Sequence, residues 1–519
     1  MDLKHFFVSR EDNSYTNAPF FLCLLPIFLL CVLIPLFYVR RSPIRLPPGP
    51  PALPVIGHLH LVGKEPHRSF WELSQRFGPL MFLSLGSVPV LIASSPNTAR
   101  VILQKHDDIF SSRPRTAVPM HVYEYKNLVF SHPGPFFKLI RQLTFSHLLG
   151  KKRLESFRSF ISNEVHHLLC EVMNSAKRVS VREKLYETTF SIISRMIIGK
   201  SVKDLIYHSR EGDSYSLEAL IVETMDLLGL FFIGDYIPCL AWTDLKGCLR
   251  RSKSVSQRIK AIFGEVINDH RTARKNRDSE TADADFLDTL LTAASNQNQV
   301  QITDSHIMGI LLDMFVGGID TSTLAIEWAL AELLKHPHIL RTVQDELSLV
   351  VGFTRLVQDS DIGSLPYLRA VVKETMRLHP VVPMLVPHAA NQQCQVNGYD
   401  IPSGTVTFVN VWAIGRDASV WEMPLKFYPE RFLDSKIDLR GQHFELLPFG
   451  SGRRICPGLS LGIDSVHLLL ANLLHVFDWS AIGEIDMTEK YGMMCSLAKP
   501  LVAAVEMRIP RQLLETMTC

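Results

Sequence analysis

The sequence predicts a mainly helical chain with a minor antiparallel β-sheet, carried behind an N-terminal membrane span. Three observations predict it. Residues 18–39 contain no charge. Most of the chain beyond residue 60 repeats its apolar positions with the period of a helix, and only a few short stretches alternate as strands do. Of 519 residues, 47% are hydrophobic and 20% charged, which excludes a disordered or low-complexity protein and supplies a large core. Lys and Arg number 54 against 52 Asp and Glu, a formal charge of +2, so global charge makes no case for a nucleic-acid partner. Nine scattered cysteines with no C-x-x-C pair suggest neither a disulfide framework nor a zinc module.

Residues 1–17 are expected to form a short lumenal segment. Ala18–Val39 is long enough to cross about 30 Å of hydrocarbon as a helix. A cleavable signal peptide is the competing reading, but its apolar core is usually about 7–15 residues long, and here Tyr38-Val39-Arg40-Arg41 follows directly. Pro26 and Pro35 are compatible with a span. Arg40, Arg41 and Arg45 against Lys4 and Arg10 favour a cytosolic body. Residues 40–60 read as a basic, proline-rich hinge, because successive prolines in Leu46–Gly57 fix φ and give a semi-rigid spacer.

Residues 61–519 show no linker and no repeat, which argues for one domain. Leu80–Leu85 and Val88–Ala93 alternate as a hairpin does, and a second strand pair is expected in Gln395–Val411 around Pro402-Ser403-Gly404. Leu334–Leu349 and Leu459–His475 have helical periodicity. His208–Ser214, Ala273–Asp285 and Ser295–Thr303 are polar enough for surface loops. Met308–Ala331 is a long helical stretch carrying Gly317-Gly318-Ile319-Asp320-Thr321-Ser322. Each glycine there costs about 1 kcal/mol relative to Ala, so something needs a close backbone approach or a local opening. Glu374 and Arg377, three apart, share a helix face and can pair.

The densest chemical signal is Phe449-Gly450-Ser451-Gly452-Arg453-Arg454-Ile455-Cys456-Pro457-Gly458. Its glycines let backbone N–H groups point at the sulfur of Cys456, and the helix from Leu459 begins there, with Pro457 suited to the first turn. A thiolate so placed is expected to have a lowered pKa and to bind a metal or act as a nucleophile. A phosphate loop does not fit, since neither G-x-x-x-x-G-K nor G-x-G-x-x-G is completed.

The pattern F-x-x-G-x-R-x-C-x-G resembles the haem-binding signature of the cytochrome P450 family. That resemblance implies the P450 fold, haem b as cofactor and Cys456 as its axial thiolate ligand on the iron. Arg454 would lie near a haem propionate, with Gly450 and Gly458 in the loop around the cofactor. Phe449 would pack on the thiolate side. Gly317-Gly318-Ile319-Asp320-Thr321-Ser322 resembles the family's oxygen-activation motif, in which Thr321 would hydrogen-bond dioxygen or a water and Asp320 would belong to a proton relay. Glu374 and Arg377, with Arg431 of Pro429-Glu430-Arg431-Phe432, resemble the family's Glu-Arg-Arg structural network. His388 and Arg141 match positions that reach propionates. The family usually shows W-x-x-x-R before that arginine; here Phe137 replaces the Trp, so a donor is missing and weaker haem retention is expected than in Trp-bearing relatives.

The segments Leu46–Pro51, Asn410–Asp417 and Pro448–Gly452 look most like plant A-type P450s, which include phenylpropanoid and flavonoid hydroxylases. The resemblance implies a monooxygenase that inserts one atom of O₂ into a small apolar or aromatic metabolite, a flavonoid or phenylpropanoid being favoured. Its electrons would come from NADPH-cytochrome P450 reductase at the endoplasmic reticulum membrane, the single-pass anchor sitting in membrane lipid and the catalytic domain facing the cytosol. Substrate would meet Arg113–Val129, Phe315–Gly318, Val381–Leu385 and Met493–Leu497. Lys138, Arg141, Lys426, Arg440 and Arg453 are candidates for a reductase-docking patch. A fatty-acid hydroxylase of the same fold, a P450-like isomerase or dehydratase working without O₂, and a membrane-anchored haem sensor remain alternatives.

Overall fold

The computed structural model describes residues 44–175, 178–200, 206–208, 214–275, 285–296 and 300–515. The lumenal segment, the anchor at 18–39 and residues 40–43 lie outside the described residues, as do 209–213, 276–284 and 297–299 of the expected surface loops. Two described helices, Leu459–Val476 and the stretch Asp304–Lys335, are long and apolar enough to cross a membrane; they are 61% and 67% buried inside the protein and form its core.

From Pro48 onward the proline-rich segment is docked on the body. Phe82 donates its N–H to the Pro48 carbonyl at 3.0 Å, and a side chain on Gly49 would overlap the Phe82 carbonyl. The hairpin Leu80–Leu85 with Val88–Ala93 pairs Leu83 opposite Val90. Val406–Val409 then joins Val88–Ala93 in parallel, and His388–Ala389 closes the four-stranded sheet antiparallel to Val406–Val409. The sheet is therefore mixed, not purely antiparallel: strands brought together from distant parts of the chain are free of the tight turn that enforces antiparallel pairing. The second hairpin is also displaced from the expected one. It joins Cys394–Val396 to Tyr399–Ile401 through Asn397-Gly398, both at positive φ (52° and 79°), where Asn-Gly is the favoured two-residue turn; Pro402-Ser403-Gly404 only leads into the next strand.

Three further boundaries move. The stretch Leu334–Leu349 is divided, since one helix ends at Lys335 and the next starts with Pro337 in its first turn, a position where the missing N–H costs nothing. His208 and Ser214, the two ends of one polar stretch expected as a surface loop, belong to the paired strands Ile206–His208 and Ser214–Ser216, and the helix Cys248–Lys275 covers the first residues of Ala273–Asp285.

Two large apolar clusters build the body. One gathers the helices Pro135–Thr144, Val181–Ile198, Cys248–Lys275 and Asp304–Gly318 around Phe190, Phe263 and Phe315. The other gathers Asp320–Lys335, Pro366–Leu378 and Leu459–Val476 around Trp328, Leu333 and Leu470. Met308–Ala331 is thus two helices, Asp304–Gly318 and Asp320–Lys335, broken at Ile319 where one cluster gives way to the other. We call the pair the distal helix.

Candidate active site

Cys456 lies on the wall of a cavity of about 310 Å³, which Gly317, Gly318 and Thr321 of the distal helix also line. The loop is closed by the Cys456 N–H, which donates to the Phe449 carbonyl at 2.9 Å. Gly452 has φ 69°, and any side chain there would run into the Leu103 carbonyl. The helix that follows starts at Leu459 with Gly458 as its cap, so Pro457 precedes the cap instead of occupying the first turn. Cys456 is correspondingly further from the helix end than the sequence suggests. Its thiol is not depressed: burial pushes it up to about 11, against the pull of the Gly458 amide and of Arg141.

The glycine pair divides its work. A Cβ on Gly318 would come within 2.5 Å of Ile193, so this residue lets two helices touch, whereas a Cβ on Gly317 would meet nothing within 4 Å. Thr321 donates to the Gly317 carbonyl at 2.8 Å across the break. Asp320 is not on the cavity wall. Burial pushes its carboxyl up to about 6, opposed by Arg182 and reinforced by Asp226, which places it against the helices Val181–Ile198 and Leu217–Gly229.

Four basic residues line the same cavity: Arg113, Arg141, His388 and Arg454. Arg454 donates to the carbonyls of Ser111 (2.7 Å), Leu128 (3.2 Å) and Ser131, and lies 4.0 Å over the Phe137 ring. Arg113 donates to Val129 (3.0 Å), Val386 (2.7 Å) and Pro387 (2.8 Å). Arg141 reaches the Ile455 carbonyl at 3.3 Å. Among the described residues none of the three arginines has a carboxylate partner. Burial, with a neighbouring guanidinium in each case, pulls Arg454 down to about 10 and Arg113 well below its ordinary value. His388 is bonded through Nδ1 to the Phe110 carbonyl at 2.7 Å, and burial together with Arg113 and Arg454 lowers it to about 3, so it is neutral. One wall therefore offers a sulfur and another offers uncompensated positive charge. The remainder is mostly apolar: Ile192, Ile193 and Ile197 from one helix, Met225 and Leu228 from the next, Val382 and Leu385 after the Glu374 helix. This donor set suits a flat apolar metal chelate bearing carboxylates, as haem b does.

Arg113 entered the sequence reading only as the start of a substrate loop. Its partners are carbonyls from two separate segments, and no motif announces them. The helix faces at Ile192–Ile197 and Met225–Leu228 were likewise missed. Phe315, expected at the substrate, is instead fully buried in the core, and of Met493–Leu497 only Met493 and Met494 reach the cavity.

Beneath the site Arg377 and Glu374 form a two-pronged pair at 2.7 and 2.8 Å, both side chains fully buried, and Arg431 Nε donates to the same carboxylate at 3.2 Å. Arg377 also donates to the carbonyls of Gly415, Pro424 and Lys426. The group ties the Glu374 helix to the segment 415–431. Of the five basic residues considered for docking, Lys138, Lys426, Arg440 and Arg453 are exposed, Arg453 being paired to Asp107, while Arg141 faces the cavity. A second cluster, His67, Glu489 and Cys495, also brings ligand-type atoms within 4.8 Å. Its carboxylate already accepts from His67, Arg68 and Trp412, and it ties the helix Pro66–Phe77 to the strand Glu489–Tyr491.

A half-buried cysteine facing an opened helix across a cavity with surplus positive charge suits a haem-thiolate protein. The family model described as Cytochrome P450 matches residues 47–503, and the chain belongs to that family: it is a haem-dependent monooxygenase. It is 40% identical over 486 residues to a flavonoid 3',5'-hydroxylase of Campanula medium, covering 90% of this chain and 92% of that one. It is 38% identical to a flavonoid 3'-monooxygenase of Petunia hybrida (93% and 96% covered) and 37% identical to one of Arabidopsis thaliana (95% and 98%). A zebra fish cytochrome P450 solved with abiraterone superposes with a TM-score of 0.70 at 26% identity, covering 85% of this chain and all of that one.

Proposed function

We propose that this chain hydroxylates a flavonoid-type aromatic ring. The observation that carries the reading is the cavity itself, whose lining apart from Arg113, Arg141, His388, Arg454 and Asp313 is mostly apolar and suits a flat aromatic substrate. The relatives named for flavonoid hydroxylation at 37–41% identity support it. Haem, bound through Cys456, would supply the electron-rich iron at which O₂ is reductively cleaved. Arg454, Arg113 and Arg141 would hold its carboxylates, and Phe449 would shield the sulfur from water. Thr321 would hold a water or dioxygen in the opened turn, and Asp320, behind the cavity wall, would pass protons from the side of Arg182. Two protons must enter an otherwise water-poor site for one oxygen atom to leave as water.

The remaining assignments follow the same reading. Residues 18–39 would anchor the chain in the endoplasmic reticulum membrane, with 1–17 lumenal and 61–519 cytosolic. Leu53 and Val55, and Trp242 and Leu245, are exposed apolar side chains on segments that flank the Gly86-Ser87 turn, which suits a face resting on lipid. NADPH-cytochrome P450 reductase would dock on Lys138, Lys426, Arg440 and Arg453. The test is expression in microsomes with a plant reductase, a reduced CO difference spectrum, and turnover of flavonoids, phenolic esters and fatty acids. Oxidation of flavonoids alone is the expected result; exclusive oxidation of fatty acids refutes it.

A further inference from the structure

We infer that Asp313 is a positioning residue: it latches the loop 126–131 to the distal helix and, through two peptide groups of that loop, aims Arg454 and Arg113 at the cofactor. Asp313 is 4% exposed. Its Oδ2 accepts from the N–H groups of Leu128 (2.6 Å) and Val129 (3.0 Å), and its Oδ1 accepts from the Asn127 amide at 2.7 Å. The Val129 N–H and the Leu128 carbonyl belong to one planar peptide. Asp313 holds the N–H end of that plane, and Arg454 Nη1 donates to its carbonyl end at 3.2 Å.

A second path runs beside the first. The Phe130 N–H donates to Asn127 Oδ1 at 3.2 Å, while the Val129 carbonyl of the same peptide accepts from Arg113 Nε at 3.0 Å. In both paths an acceptor chain that starts at one buried carboxylate ends on a buried guanidinium, with a peptide dipole between them. Hydrogen bonds in such a chain polarise one another in the same sense. Asp313 and the two guanidinium groups are thus linked without touching, and each guanidinium bonds only to carbonyls among the described residues. The helix lies close enough for this only because residue 309 is glycine: a Cβ there would stand 2.6 Å from the Lys126 carbonyl and 3.3 Å from the Asn127 side chain.

This inference rests on the reading of Arg113 and Arg454 as partners of haem carboxylates. The test uses the purified full-length haem-loaded enzyme, its Asp313→Asn and Gly309→Ala variants, and Asn472→Ala as a control. Asn472 is an equally buried amide tied to Val357, away from the cavity. The readouts are the rate of haem transfer to excess apomyoglobin and the propionate-bending bands in the resonance Raman spectrum. Asp313→Asn is expected to lose haem about tenfold faster, since an amide replaces one of the two accepting oxygens with a donor and breaks at least one of the three hydrogen bonds, and to shift those bands. Gly309→Ala is expected to move both in the same direction, and Asn472→Ala neither. Wild-type haem retention and spectrum in Asp313→Asn overturns the latch, as does an equal change in the control. Arg113→Leu and Arg454→Leu separate the two levels. If both hold haem as the wild type does, the arginine reading is refuted; if they lose it while Asp313→Asn does not, only the latch falls.

Discussion

The guanidinium of Arg454 lies 4.0 Å over the ring of Phe137, the residue that stands where the family resemblance implies a Trp. The phenyl ring has no N–H to offer a carboxylate, yet it gives Arg454 a flat platform worth about 0.5–2 kcal/mol when desolvated. Phe137→Ala should therefore quicken haem transfer to apomyoglobin by about two- to thirtyfold. Phe137→Trp keeps the platform and adds a donor, so it should slow the transfer; a Trp variant that holds haem no better speaks against the missing-donor argument.

Thr321 bridges the broken turn to the Gly317 carbonyl, and its hydroxyl is the polar group next to the open space at Gly317. Thr321→Ala should keep the CO spectrum and the rate of NADPH consumption within a few fold while product per NADPH drops by about tenfold or more. The missing electrons should be recovered as hydrogen peroxide. Unchanged coupling would remove Thr321 from the proton path.

Arg377 is buried with Glu374 and satisfies three further carbonyls at once. Removing one partner of such a pair costs about 3–5 kcal/mol, because a charge is left alone in the interior. Arg377→Leu should yield no haem–thiolate CO band and a chain that is degraded during expression. Arg377→Lys should fare little better, since an ammonium cannot reproduce the planar fork. Normal accumulation of either variant would contradict a structural role.

Asp320 is pushed up to about 6 and Asp313 to about 7, burial being the main cause in both. An acid whose folded-state pKa is raised binds its proton more tightly when folded. Its stabilisation is complete below the unfolded value of about 3.9 and is lost as pH rises through the folded value. The thermal unfolding midpoint should accordingly fall between about pH 5 and pH 7.5. Asp320→Asn should flatten the lower part of that slope and leave the part nearer pH 7, which belongs to Asp313. A slope identical to wild type would show that Asp320 titrates normally.

What could be read from the chain divides along physical lines. The Leu80–Leu85 hairpin and the Leu459 helix were legible because their apolar residues are dense and bounded by turn residues, although Val466–Val476 is buried on every side and Val90–Ala93 on both faces. The break at Pro337 carries a local signal that periodicity overrode, and the Asn397-Gly398 turn was hidden behind a more conspicuous Pro-Ser-Gly. The Cys456 loop stood out because glycines, arginines and a cysteine crowd ten residues. Arg113 and Asp313 did not: each acts through backbone carbonyls or amides supplied by distant segments, and a backbone group leaves no letter in a sequence. The rise in the Cys456 pKa was invisible for a related reason, since burial depends on everything packed around the sulfur.

The arginines of the cavity are wholly or partly buried without a carboxylate partner among the described residues. A chain that buries cations ahead of their counter-charge completes its fold at a loss, and any ligand that binds the folded form adds RT ln(1 + [L]/Kd) to its stability. Maturation and prosthetic-group supply are then one equilibrium. Starving a cell of porphyrin should thin out the polypeptide itself, ahead of any effect on turnover per molecule.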